Sequence, residues 1–189
     1  MLLRDPVPLA DDAVDDVKAY LRIDIPDDDA LIASLAATAL ARAEGFCSQM
    51  LITRGVTERL AVRSPDERTS WQMLGALPVQ SIGQVNVVSL DGVSLPLSPT
   101  QFSVDIDGEA RGWVRMTDPA ILGRIDVFYT AGVAMSWDAL PEAVRHGVIR
   151  LVAYYYTTRD AMVDSGPPAA VAALLRPWRR MRLSSAVLI

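Results

Sequence analysis

The feature of this chain that most limits its fold is a hydrophobic period that changes twice. From Asp27 to Met50 the apolar residues follow a helix. Leu31, Ile32, Leu35, Ala36, Ala39, Leu40, Ala43, Phe46, Cys47 and Met50 make one wide stripe. From Leu51 the pattern becomes strand-like, with Ile52, Val56, Leu60 and Val62 separated by Thr and charged residues. Helical spacing returns after Pro141, where Val144, Val148, Leu151, Val152, Tyr155 and Tyr156 can face a core. Helices on both sides of a strand-rich middle point to an α+β fold.

Ala13, Val14, Val17, Tyr20 and Leu21 predict a short amphipathic helix over 11–22, with Asp in its first turn. The helix over 27–50 opens on Asp27, Asp28 and Asp29, where capping and the helix dipole favour acids. Its many alanines permit close packing. In the middle, VNVVSL and VSLPL flank Asp91-Gly92 as a hairpin. FSVDI and WVRM flank DGEARG as a second, and Ile125 to Thr130 gives one more strand, ended by Gly132. Pro141 suits the first turn of a helix over 141–159. After a linker at Asp164 to Pro168, Ala169 to Leu175 reads as a short helix stopped by Pro177. The expected architecture is α+β: mainly a helical bundle, with an inserted β-hairpin or small antiparallel sheet and an extended C-terminal tail. Residues 1–175 form the main domain, with helices at about 11–22, 27–50, 141–159 and 169–175 and a β insertion at about 51–131; residues 176–189 form a C-terminal arm.

At 189 residues, 51% of them hydrophobic, the chain can bury one sizeable core. Its longest apolar stretch, Leu31 to Ala41, is broken by Ser34 and Thr38 and is short of the roughly 20 residues that span a bilayer. The opening MLLRDPVPLADD turns acidic at once, unlike a secretory signal. A single cysteine excludes an intrachain disulfide and fits a reducing cytoplasm. Net charge is −5, unevenly spread. Residues 1–30 hold nine Asp against Arg4, Lys18 and Arg22; residues 145–189 hold seven Arg against Asp160 and Asp164. An acidic front and a basic tail can complement each other between neighbouring subunits.

No pattern carries catalysis. His146, the single histidine, lies one turn from Glu142, but one His and one Cys cannot build the usual zinc sites, so a solvent or interface histidine is expected. Cys47 falls on an apolar stripe and reads as a small buried hydrophobe. Asp27-Asp28-Asp29 and Asp105-x-Asp107-Gly108-Glu109 lack the ligand spacing of a calcium loop; the first reads as a helix start, the second as a hairpin turn. Neither a phosphate-cradling glycine loop nor a nucleophile elbow is present. No catalytic residue, metal or cofactor is expected. The tail Arg176-Pro177-Trp178-Arg179-Arg180-Met181-Arg182 has three readings: a nucleic-acid contact with Trp stacking, a solvated basic end, or a docking arm anchored by Trp and Arg.

Four segments, in this order, resemble the head–tail connector (adaptor) proteins of tailed bacteriophages and related gene transfer agents. They are the helix at 28–46; Leu77-Pro78-Val79-Gln80-Ser81-Ile82 with VNVVSLDG; Phe128 to Gly132 followed by Leu140 to Arg159; and Leu174 to Leu183. His146-Gly147 departs from the pattern, since a helix former would be usual there and a mid-helix Gly costs about 1 kcal/mol relative to Ala. The resemblance implies a non-enzymatic structural protein of the particle's neck, made in the bacterial cytoplasm. It implies a ring, usually twelve-fold, beneath the portal, which extends the DNA channel and offers a platform to a neck or tail-completion protein. It places portal contact on an arm carrying Arg176, Pro177, Trp178, Arg179, Arg180, Arg182 and Leu183. DNA would pass through the lumen without sequence-specific binding, and no membrane is involved. The alternative function is a small DNA-binding or packaging accessory protein that uses the Arg-rich tail.

Overall fold

The computed structural model describes residues 1–9, 11–62, 70–89, 91–118, 120–158 and 166–180. The chain divides into two compact units, one of strands (Met1–Pro6 with Ile52–Val133) and one of helices (Val7–Leu51 with Ala134–Ile189).

The helical unit contains α1 (Asp11–Leu21), α2 (Asp29–Cys47), α3 (Glu142–Thr157) and α4 (Ala169–Leu175), followed by a 3-10 turn at Arg176–Trp178. The stripe read from the sequence is the buried face of α2: Ile32, Ala36, Ala39, Leu40, Ala43 and Cys47 are sealed from solvent. Three of these six are alanine, which brings α2 close to α3 and α1. By length and apolar composition α2 could cross a membrane, but its stripe packs inside the bundle. Facing it from α3 are Val144, Val148, Leu151 and Val152. Trp137, on the segment that leads into α3, is 1% exposed and donates its indole N–H to Asp16 Oδ2 at 2.8 Å.

The acids at the start of α2 do not cap it. Asp28 occupies the N-cap position without a side-chain cap bond, and its Oδ2 instead accepts the Tyr156 hydroxyl at 2.6 Å. Asp29 pairs with Lys18 of α1 at 2.6 Å. These carboxylates therefore tie α2 to α3 and α1, which a local capping rule does not reveal. Tyr154, Tyr155 and Tyr156 are all half-buried.

The strand unit holds two antiparallel sheets. The larger has the order β1-β2-β8-β4-β5 and the smaller β3-β7-β6. The strands are β1 (Leu2–Arg4), β2 (Arg54–Val62), β3 (Gln72–Met73), β4 (Val79–Val88), β5 (Ser94–Pro96), β6 (Phe102–Ile106), β7 (Gly112–Met116) and β8 (Gly123–Ala131). β8 is central, paired along its whole length with β2 from Arg54↔Ala131 to Val62↔Gly123. Both expected hairpins form. β4 and β5 join through Gly92, whose φ of +83° needs glycine, and β6 and β7 join through Asp107 to Arg111. Asp107 organises the second turn: Oδ1 accepts the Glu109 and Arg111 amides, and Oδ2 accepts the Trp113 indole at 3.0 Å. These donors hold its carboxyl below the usual carboxylate range, although burial opposes them.

The expectation of a mainly helical bundle is corrected here. Helix and strand hold similar numbers of residues, and the strands make two sheets rather than one small insertion. β1 and β3 are two or three residues long and owe their existence to partners 56 to 58 and 113 to 114, so no local period announces them. The smaller sheet is fastened to the larger one by a buried polar group. Glu58 of β2 accepts the Gly75 amide and the Tyr129 hydroxyl, each at 2.8 Å, while Tyr129 Oη accepts the Ala76 amide at 3.0 Å. Burial and the Glu58 charge push the Tyr129 hydroxyl far above its ordinary range, so it stays a donor.

Candidate functional site

The Arg-rich segment begins where α4 ends, and the fold carries it to the C-terminal end of α2. That end closes on Ser48 in the left-handed region (φ 55°), with the Ser48 and Gln49 amides bonded back to Gly45 and Glu44. Two bonds then fasten the basic segment there. Gln49 Nε2 donates to the Trp178 carbonyl at 2.6 Å, and the Arg180 amide donates to the Cys47 carbonyl at 2.9 Å. The second occupies a carbonyl that the end of a helix otherwise leaves to solvent. The Arg179 guanidinium lies over the Phe46 ring at 5.5 Å.

This arrangement answers a deficit in α2. The helix has no basic residue in its own last turn, and the fold supplies Arg179 and Arg180 at its negative end from the far end of the chain. Arg176, Pro177 and Arg179 are exposed; Trp178 and Arg180 are half-buried. Residues 176–180 are thus a 3-10 turn and a return packed on the bundle, which corrects the expectation of a tail extended from 176 onward. Arg182 and Leu183, named with them from the sequence, lie outside the described residues.

Gly147, the departure noted in α3, has a packing role. A β-carbon there would sit 3.1 Å from Leu175 Cδ2 and 3.6 Å from Leu174 Cβ, so the missing side chain lets α4 lie against α3. That contact aims the chain leaving α4 at the end of α2.

Chemically, the surface offers planar, permanently charged forks beside a proline and a tryptophan edge. This is the residue set that anchors protein interfaces, and it contains no nucleophile or proton-transfer pair. The other sequence candidates lie apart from it. His146 is exposed and meets Tyr20 edge-on at 5.9 Å, while Glu142 pairs with Arg145. Cys47 is buried; burial, then the Glu44 charge, push its thiol up to about 11. Its Sγ approaches the Leu175 carbonyl at 3.8 Å. Among the described residues no group of His, Cys, Asp and Glu could hold a metal ion. The anchoring of the basic segment by Gln49 was not read from the sequence, since nothing local to a single glutamine foretells a partner 129 residues away.

No family model matches the chain, and no curated protein matches it. Solved structures do. A chain from the neck of an empty gene transfer agent (GTA) particle, computed with C6 symmetry, aligns with a TM-score of 0.76 at 28% identity over 98% of each chain. A chain from the virion of a native GTA particle gives 0.75 at 27% identity, again over 98% of each chain. A chain from the neck of a native GTA particle, computed with C12 symmetry, gives 0.73 at 28% identity with the same coverage. Near-complete mutual coverage at this identity supports a neck (head–tail connector) protein family of gene transfer agents and phages for this chain.

Proposed function

We propose that this chain is the structural adaptor that forms a ring beneath the portal, extends the DNA channel and presents the platform on which neck or tail proteins assemble. The observation that carries this reading is the end-to-end match to neck chains from particles solved under C6 and C12 symmetry. A twelve-fold ring of this chain fits that setting. The role is geometric rather than enzymatic. The net charge of −5 suits a wall along which DNA slides, because phosphates are not retained by negative surfaces.

Portal contact falls to the arm. Residues 176–180 act as its rigid root, with Arg176, Pro177, Trp178, Arg179 and Arg180 held on the end of α2, and Arg182 and Leu183 complete it. Arginine forks beside Trp suit carboxylate-bearing pockets on a partner. Co-purification with the portal protein of the same gene cluster tests the assignment. It should compare the full chain, a chain ending at Arg180, and the full chain with Arg176→Glu and Arg179→Glu. Ending at Arg180 keeps the two bonds to α2, so lost binding cannot be blamed on a loosened bundle. The reading expects the full chain to bind and both variants to lose at least about tenfold in affinity. Equal binding by all three discards the arm. Failure of the full chain to bind portal rings, with salt-sensitive DNA binding in its place, would favour the accessory-factor alternative.

A further inference from the structure

The smaller sheet turns an aromatic face outward. In β7 the alternation of a strand sends Val114 and Met116 into the core, where they are 1% and 2% exposed, and Trp113 and Arg115 to the other side. Met73 of β3 lies beside Trp113, and the Arg115 guanidinium lies over the Trp71 ring at 4.7 Å. Met73 is 49% exposed and Trp71 40%. Arg115 is half-buried, and its Nε is shielded from water without an acceptor. It has no ion pair among the described residues: Asp105 on β6 makes no salt bridge with it, and Asp107 is engaged by its own turn and the Trp113 indole. A buried donor without an acceptor is costly, and native proteins rarely keep one. Aromatic rings, methionine and arginine are also enriched at the centres of protein interfaces. This face therefore lacks a carboxylate and an apolar cover, and the chain that carries it supplies neither.

Both are on display in the turn between α1 and α2. Asp24, Ile25, Pro26 and Asp27 are all exposed, Ile25 at 57%, and Leu31 in the first turn of α2 is exposed as well. Of the acids there, Asp28 and Asp29 are occupied by Tyr156 and Lys18. Asp24 and Asp27 have no ion-pair partner among the described residues. An apolar knob between two unpaired carboxylates complements an aromatic face with an unpaired arginine. The two patches are different surfaces, so a contact between them is head-to-tail, the type that closes into a ring.

Resting on the ring reading above, we propose that the Asp24–Asp27 turn of one subunit seats on the Trp71–Arg115 face of the next. Ile25 covers Trp71 and Met73, and the flanking carboxylates give the Arg115 fork the acceptors it lacks. The occupant of the face is a second copy of this chain. The basic root at 176–180 takes no part in this contact and is left for the portal.

Charge exchange tests the contact. Ring formation, alone or on portal rings, is followed by mass photometry against protein concentration. The chains compared are wild type, Arg115→Glu, Asp24→Arg with Asp27→Arg, and a chain carrying all three changes. Either side changed alone brings like charges together and is expected to raise the assembly midpoint at least about fivefold, and the chain with all three to return to within about threefold of wild type. Unchanged thermal melting of the unassembled variants verifies their folds. In parallel, a bis-maleimide added to a chain carrying Ile25→Cys and Met73→Cys should give a ladder of covalent oligomers, with no ladder from either single variant; Cys47 is buried and does not compete. Variants that assemble like wild type, a combined variant that is not rescued, or cross-links confined to one chain would overturn the contact while leaving the ring reading intact. Normal rings of Arg115→Glu that fail to take up the next neck protein would give the face to that protein and equally overturn the contact. A wild type that forms no ring in either setting would overturn both.

Discussion

At Gly147 the sequence shows an apparent fault, a glycine inside a helix, and only the fold explains it. The β-carbon it lacks would press on Leu175, a fully buried side chain. Gly147→Leu is expected to cost about 1–3 kcal/mol, read from the urea midpoint, because the sealed interface has no room for it. Tyr129 makes the complementary case for a buried hydroxyl. Tyr129→Phe leaves the Ala76 amide without its acceptor and removes a donor from Glu58, and should cost about 1–3 kcal/mol in the same assay. Cys47 gives a pH signature. Its thiol titrates near 11 in the fold against an ordinary 9.0, raised first by burial and then by Glu44. The folded state thus keeps a proton that the unfolded chain releases, so this stability is fully present below pH 9 and lost as pH rises through 11. Denaturation at pH 8 and pH 11 should show the stability gap between wild type and Cys47→Ala narrowing at the higher pH. The burial of Cys47 was legible in the stripe of α2. The work of Asp28 was not, because its partner Tyr156 lies 128 residues away.

Among the elements, those with their own periodicity or turn chemistry were readable. α1 spans Asp11–Leu21 where 11–22 was expected, and α2 spans Asp29–Cys47 within 27–50. Both hairpins sit at their DG and DGEARG turns. β1 and β3 were not readable, since strands this short exist only by pairing with distant partners. The basic segment belongs with them. Its composition was plain, but its attachment to α2 depends on Gln49 and the Cys47 carbonyl. A chain ending at Leu175 should therefore be about 1–3 kcal/mol less stable to urea than one ending at Arg180, because it loses both bonds and the Arg179 contact with Phe46. Equal stability would mean that residues 176–180 rest on α2 without holding it.

For the whole molecule, the charge asymmetry, the exposed face of Trp71 and Arg115 and the anchored basic root all suit a subunit that finishes its packing in company. The order of helix, strands and helix was legible along the sequence. The near equality of helix and strand was not, because strand count depends on long-range pairing. The central claim is that this chain rings the portal of its own particle. Cryo-electron microscopy of the chain co-expressed with its portal protein tests that claim most directly. The account predicts a second ring on one face of the portal, coaxial and of matching symmetry, with the channel continuous through both. Portal rings that remain bare at saturating concentrations of this chain would contradict it.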